Sequence, residues 1–253
     1  MEHNEKPLVL IGTPAYGGMM HIDYVKSQIE FTQAGISFLM YGIGNESLIT
    51  RGRNQILSYF INHPEYTHMM YLDADMYLGG ADFVKLVNSG KDVCGAMVRL
   101  KSKEKLFNIH GLSKKEGNLI KVDHLGSAVM MISRKAAQDL AKYMEDKTEA
   151  INTGIDKLKD IDEKWAKDLI IELDGKGYLY DKKSSSVIND NEENNTQYDI
   201  CNVGVHKGIY LSEDYYLCKY LRDLGYEIWV DTSIKTIHNG VISLDNNEET
   251  YGG

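Results

Sequence analysis

The residues of this chain that could do chemistry gather in four places: Asp73-Ala74-Asp75, Ser212-Glu213-Asp214, Arg51-Gly52-Arg53-Asn54 and His238. The first is the most informative. Within Thr67-His68-Met69-Met70-Tyr71-Leu72-Asp73-Ala74-Asp75-Met76-Tyr77 a short apolar run reads as a buried strand and ends in two aspartates with one small residue between them. In open α/β sheets the carboxyl ends of strands are where ligands bind. Two acids placed there repel one another and lose hydration, and a divalent cation is the usual compensation, because hard metals share carboxylate and phosphate oxygens. Strand alternation is expected to point Asp73 and Asp75 the same way, with Ala74 small enough to let a ligand approach. The bland alternative is a surface turn, where Asp is common.

Ser212 is expected to cap a helix that Gly225 ends, with a buried stripe at positions 217, 218, 221 and 224. Asp214 falls on that inward stripe and Glu213 about a quarter-turn away, by the 3.6-residue period. An inward acid at a helix start is a candidate general base, or simply a complement to the helix dipole. Arg51 and Asn54, three residues apart, share one side of a helix spanning about 47–60, for which Ser47 is the expected N-cap. Cations one helix before an acidic strand end could hold a diphosphate, or could form an ordinary solvated, salt-bridged face. A lone His is usually structural, but beside two aspartates His238 would complete an O/N ligand set suited to Mn²⁺ or Mg²⁺.

The elements that must position these groups follow from periodicity. Apolar runs at 8–11, 36–41, 93–98, 124–133 and 227–230, with the one that ends in Asp73-Ala74-Asp75, read as strands, and helical spacing runs to Gln33, over 47–60, 81–89, 134–143, 153–171 and 212–225. Short strand-like pieces fall at 106–109, 119–122, 178–180 and 234–238, and the polar stretch 182–197 reads as a surface loop. Strand–helix alternation predicts an α/β fold, a single Rossmann-like domain with a mostly parallel central sheet flanked by helices and an insertion toward the C-terminal half. The glycine-containing segment Gly12-Thr13-Pro14-Ala15-Tyr16-Gly17-Gly18 fits neither a Walker loop nor the dinucleotide fingerprint. Its small and flat groups could hold a nucleobase against Tyr16 or Pro14, or form only a turn.

With 253 residues the chain can bury a core without disulfides. Its three scattered cysteines argue against a disulfide framework or a structural zinc site. A net charge of -9 disfavours duplex nucleic acid as the main partner. No apolar run reaches membrane-spanning length and no apolar signal region opens the sequence, so a cytoplasmic protein is expected, in the host cytoplasm if the chain is viral.

In this order, Asp73-Ala74-Asp75, the Gly126-Ser127-Ala128 strand, Ser212-Glu213-Asp214 and His238 resemble the DXD motif, acceptor-side strand, xED motif and terminal histidine of GT-A-fold glycosyltransferases. Arg51-Gly52-Arg53-Asn54 ahead of Tyr71-Leu72-Asp73-Ala74-Asp75 resembles the pairing in fungal Anp1-type mannosyltransferases. With Thr13-Pro14-Ala15-Tyr16-Gly17-Gly18 and Asn45-Glu46-Ser47-Leu48, the whole layout is most similar to small glycosyltransferases of large DNA viruses and phages. The resemblance covers about 1–135 and 205–243, and the insert at 145–200 has no counterpart in it.

The resemblance implies a nucleotide-diphospho-sugar donor, a UDP- or GDP-sugar, bound in a half at about 1–100. An acceptor half at 101–243, with its insertion at about 145–200, would take a glycan or glycoprotein, and 244–253 would be a tail. Thr13, Pro14, Ala15 and Tyr16 would hold the base. Asn45, Arg51, Arg53, Asn54, Asp73, Ala74 and Asp75 would complete the donor site. Asp73, Asp75 and His238 would hold Mn²⁺ or Mg²⁺, and Arg53 would share with the metal the charge of the departing diphosphate. Asp214, with Glu213 beside it, would be the base of an inverting transfer, or an acceptor-orienting group in a retaining one. A sugar-phosphate nucleotidyltransferase is the main alternative, although its longer basic first loop has no match at Gly12–Gly18. A haloacid-dehalogenase-type phosphatase would need Thr or Val where this chain has Tyr77. A non-catalytic sugar-binding module would not need Asp73, Asp75 and His238 together.

Overall fold

The structure, a computed structural model, describes residues 6–102, 104–159, 167 and 196–240. Its centre is an eight-stranded sheet in the order β2-β1-β3-β10-β5-β13-β8-β7. In chain order the strands are β1 (Leu8–Ala15), β2 (Ser37–Gly44), β3 (His68–Leu72), β4 (Met76–Leu78), β5 (Val93–Gly95), β6 (Ile109–His110), β7 (Lys115–Glu116), β8 (Leu119–Val122), β9 (His124–Leu125), β10 (Val129–Ser133), β11 (Gly204–His206), β12 (Ile209–Leu211), β13 (Ile228–Asp231) and β14 (Thr236–His238). The helices are α1 (Ile22–Gln33), α2 (Ile49–Asn62), α3 (Gly80–Val87), α4 (Arg134–Lys159) and α5 (Glu213–Asp223). β1 pairs in parallel with β2 and β3, and β13 with β5, while β10 runs antiparallel between β3 and β5. β8 also runs antiparallel to β13 and to β7, so six of the eight strands point one way and β8 and β10 the other, the mostly parallel, helix-flanked α/β sheet expected.

Side-chain alternation sends each strand's residues into two cores. Leu10, Met69, Tyr71, Met130 and Val230 pack under α2, α4 and α5, with Ile56, Phe60, Leu140, Leu217 and Leu221. Val9, Ile11, Met70, Leu72, Met131 and Trp229 pack on the other face against Tyr24, Phe31, Phe83 and Leu86 of α1 and α3. A sheet covered on both faces needs continuous apolar strands, and β1 and β3 are such runs. Gly12 marks how closely α2 lies on β1, since a Cβ there would come 2.1 Å from Ile56 Cγ2. Arg134, at the start of α4, fixes the far end of α2 by donating to the carbonyls of Phe60 (2.7 Å), His63 (2.8 Å) and Tyr66 (2.8 Å).

Several boundaries differ from the sequence expectation. β1 runs through Ala15 and β2 through Gly44, because the two pair over their whole length, so the expected loops at 12–15 and 42–44 are strand. β5 stops at Gly95, and the expected strand 124–133 is broken into β9 and β10 at Gly126–Ala128. Ser47 does not cap α2. The N-cap is Leu48, no side chain caps the helix, and the N–H of Leu48 itself donates to Glu46 Oε1 at 2.9 Å. α4 continues to Lys159, joining the expected helix at 134–143 to the start of the one expected at 153–171. Residues 160–166 and 168–195, with the expected strand at 178–180 and most of the loop at 182–197, lie outside the described residues.

Candidate active site

The parallel strands β1, β3, β5 and β13 end at one edge of the sheet, and β10 enters from it, as the pairings Val129 with Leu72 and Val230 with Gly95 show. The residues singled out from sequence return to this edge. β3 stops at Leu72, so Asp73 and Asp75 lie in a turn rather than on a strand, with Met76 N–H donating to the Asp73 carbonyl at 3.0 Å. The expectation from strand alternation is therefore corrected: each acid is oriented by its own partners.

Asp73 is held from inside. Its N–H donates to the Ala128 carbonyl at 3.1 Å, and its Oδ1 accepts from Arg53 Nη2 at 3.0 Å. Arg53 is only 4% exposed. Its Nε reaches Glu213 Oε1 at 3.3 Å, its guanidinium lies 5.2 Å from the centre of the Tyr71 ring, and Tyr71 Oη donates to the Arg53 carbonyl at 2.8 Å. Burial opposes the Arg53 charge, but Asp73 and Glu213 outweigh it and hold the guanidinium's pKa above its ordinary value. Burial also pushes the Tyr71 hydroxyl far up, so it serves as a neutral donor.

Asp75 is held from outside. Lys101 Nζ pairs with its Oδ2, and His238 Nε2 stands 3.6 Å from its Oδ1. The Asp75 carbonyl accepts from Asn239 N at 2.9 Å and Nδ2 at 3.0 Å. β14 pairs with β4 so that His238 faces Met76, and this register brings the histidine next to Asp75. His238 Nδ1 lies 2.8 Å from the Arg99 carbonyl, which can only accept, so Nδ1 carries a proton and Nε2 is the atom directed at Asp75. A histidine that donates one ring N–H to a backbone carbonyl is oriented as metal-ligating histidines are. A 3.6 Å gap is too long for a hydrogen bond. As the side chains stand, no group of three or more His, Cys, Asp or Glu among the described residues is gathered closely enough to hold a metal. Asp75 and His238 are together, while Asp73 is engaged with Arg53.

The roles of the two acids of α5 differ from the sequence expectation. Glu213, expected off the inward face, is the one that reaches the buried Arg53. Asp214 folds back at the helix start, where Oδ1 accepts from Ser212 Oγ and from Tyr215 N at 2.8 Å. Ser212 is the N-cap residue as expected, although its hydroxyl serves Asp214 rather than a backbone N–H. Of the other expected donor-site residues, Thr13 is fully buried, its hydroxyl 2.5 Å from Tyr24 Oη, and Ala15 is buried. Tyr16 is 76% exposed on a single 3-10 turn, and Pro14 is half-buried. Asn45 is exposed in the left-handed region, φ +60°. Arg51 is exposed and paired with Glu46, and Asn54 does not share its surroundings. Asn54 clips the segment returning toward α5, donating to Asp199 Oδ1 at 2.8 Å and accepting from Ile200 N at 2.9 Å and Cys201 N at 2.6 Å.

Lys101 and His124 were not singled out from the sequence. Lys101 sits in an irregular polar stretch with no periodic signal. His124 stacks on Tyr215 at 4.5 Å, and its Nε2 lies 3.2 Å from Arg222 Nη2. Arginine only donates, so Nδ1 of His124 bears the hydrogen. Burial and the neighbouring Arg222 lower the His124 pKa. The buried side-chain polar atoms without a partner, among the described residues, are both amide atoms of Gln28 and Arg53 Nη1, His124 Nδ1, Ser127 Oγ and Arg222 Nε. Arg53 belongs to the site and Ser127 precedes Ala128, whose carbonyl takes the Asp73 N–H, while His124 and Arg222 bond to each other beside Tyr215. Buried donors left without partners are rare in native proteins and call for an occupant such as a ligand or water.

No family model and no curated protein matches the chain. Among solved structures it is similar to A197 from STIV, with a TM-score of 0.50 and 14% identity over 93% of this chain and 86% of that one. HddC from Yersinia pseudotuberculosis complexed with GMP-PN overlaps 53% of this chain and 79% of its own, at 12% identity and a TM-score of 0.34. A glycosyltransferase involved in the glycosylation of the major capsid of PBCV-1 overlaps 52% of this chain and 62% of its own, at 11% identity and a TM-score of 0.31. The likeness to A197 is one of fold, and the other two overlaps are partial.

Proposed function

We propose that this chain is a metal-dependent glycosyltransferase that moves a hexose from a UDP- or GDP-sugar to a hydroxyl of a glycan or protein acceptor. One observation carries the reading: the Asp73–Asp75 turn, at the carboxyl edge of the sheet, is tied through Arg53 to the helix start that bears Asp214. The charges support it. Four carboxylates (Asp73, Asp75, Glu213, Asp214) stand against two cations, Arg53 and Lys101, an excess of acid that a divalent cation would offset.

Asp75 and His238 would hold Mn²⁺ or Mg²⁺ together with phosphate oxygens of the donor, with Asp73 adjoining. When bound, the cation would supply electrostatic stabilisation of the diphosphate as it leaves. The rest is the work of the chain itself. Tyr16 offers an exposed ring at the end of β1 for the base. Asp214 takes the proton of the acceptor hydroxyl; the hydroxyl oxygen bonds to the anomeric carbon, the bond from that carbon to the phosphate oxygen breaks, and the nucleoside diphosphate departs. Ser212 and the Tyr215 N–H both hold Oδ1 of Asp214, which orients Oδ2 as the base.

A thermal-shift panel of UDP-, GDP-, CMP- and dTDP-sugars with and without Mn²⁺ tests the reading, since a ligand of the native state raises the melting temperature by mass action. UDP- or GDP-sugars should shift it only with metal present, and Asp75→Asn should abolish the shift. Asp214→Asn should retain the shift and lose about 10²–10⁴-fold in transfer rate. Normal transfer by Asp214→Asn would remove that residue from the role of base. The anomeric configuration of the product, read by NMR, separates inversion from retention.

A further inference from the structure

We propose that Lys101 is a diphosphate-binding residue that exchanges partners: its ammonium pairs with Asp75 until a divalent cation takes that carboxylate, and then turns to the diphosphate oxygens. The inference rests on the donor site proposed above and adds a binding residue to it. Residues 99–101 and 238–240 close on Asp75 from two sides. The Arg99 carbonyl fixes His238, Asn239 holds the Asp75 backbone, and Lys101 Nζ meets Asp75 Oδ2. The stem of Lys101 lies flat on Gly240, where a Cβ would come 2.9 Å from Lys101 Cδ and 3.2 Å from Cε. Glycine at 240 thus permits the lysine to lie along this strand end with its head at the carboxylate.

The pair is made to part. Both side chains are open to solvent, 43% for Lys101 and 38% for Asp75, and an exposed ion pair has little hold. Arg53 is the contrast, 5% exposed at the side chain and shared by two carboxylates. A divalent cation held by Asp75 would repel the Lys101 ammonium, while the lysine stem on Gly240 keeps that ammonium within a side chain's reach of the same carboxylate. A diphosphate bound there would offer it oxygens in exchange, and a lysine serves phosphate as a compact point charge. Lys101 should therefore oppose the metal when metal is the sole ligand and assist it when a diphosphate is present.

The test is the sign of two effects in full-length Lys101→Met and Lys101→Arg. Free Mn²⁺, followed by electron paramagnetic resonance, should show Lys101→Met binding the metal alone up to about fivefold more tightly than wild type. At saturating Mn²⁺, calorimetry with UDP and with GDP should show the nucleotide that binds wild type binding Lys101→Met about tenfold or more weakly, with Lys101→Arg restoring most of it. Changes of the same sign in both measurements, or no change in either, overturn the exchange while leaving the donor site standing. Wild type that binds neither Mn²⁺ nor nucleotide, or Asp75→Asn that binds both undiminished, overturns the donor site and the exchange with it.

Discussion

Asp73 and Asp75 are separated by one residue, yet they sit in opposite electrostatic settings. Asp73 meets a guanidinium sealed beneath the sheet edge, shared with Glu213 and laid on Tyr71. Asp75 meets an ammonium and an imidazole at the surface, each supplied by a segment that also touches solvent. A buried cation with two carboxylates is a permanent part of the architecture, because withdrawing it would strand unpaired charge in a low dielectric. An exposed cation with one carboxylate is a partner that can be traded. The lesson is a division of labour within a single turn: one acid fixes the geometry, and the other stays open to exchange.

The sharpest way to break that contrast is Arg53→Met. It leaves Asp73 and Glu213 without their shared cation and should cost about 3–5 kcal/mol in urea unfolding. Lys101→Met should cost no more than about 1 kcal/mol in the same measurement. Equal losses in the two variants would erase the distinction between brace and exchangeable partner. Next in size is Asn54→Ala. The residue after Arg53 secures 199–201 by three hydrogen bonds, and losing them should cost about 1–3 kcal/mol. Arg51→Ala, on the exposed pair with Glu46, should leave the urea midpoint close to that of wild type. Asp75→Asn should be smaller still in stability, under about 1 kcal/mol, while removing the metal-dependent nucleotide shift altogether.

The smallest effect concerns acid. Burial lowers the pKa of His124, as it does for His68, so the folded chain favours the neutral rings. A depressed folded-state pKa contributes stability in full above the unfolded value, about 6.5, and that stability is lost as pH falls through the folded value. Urea midpoints at pH 7.5 and 5.5 should therefore drop on the acid side, and His124→Gln should remove part of the drop. A drop unchanged in His124→Gln would assign it to His68 alone.

Much of the frame was legible. The runs at Leu8–Ile11, before Asp73 and at Glu227–Val230 announce buried strands, and the helical spacing around Ile56 and Phe60 announces the helix that covers them. Asp73 and Asp75 stand out because acids ending an apolar strand are unusual anywhere but a turn or a site. The errors have one cause. Strand alternation put both acids on one face because it could not register that β3 ends at Leu72. The helical period turned Glu213 away because it could not register a buried arginine waiting on that side. Ser47 lost the N-cap position to Leu48, whose N–H is held by Glu46, an acid that also reaches Arg51.

The sequence alone determined which runs become strands and which become helices, and which acids, cations and histidine fall near their ends, because periodicity and turn chemistry act over a few residues. The tertiary structure alone decided which cation serves which acid. Arg53 meets Glu213 across 160 positions, Asn54 meets Asp199 across 145, and His238 meets the Arg99 carbonyl across 139. Partnerships of that span are set by strand order and helix packing, to which no local pattern in the chain is coupled.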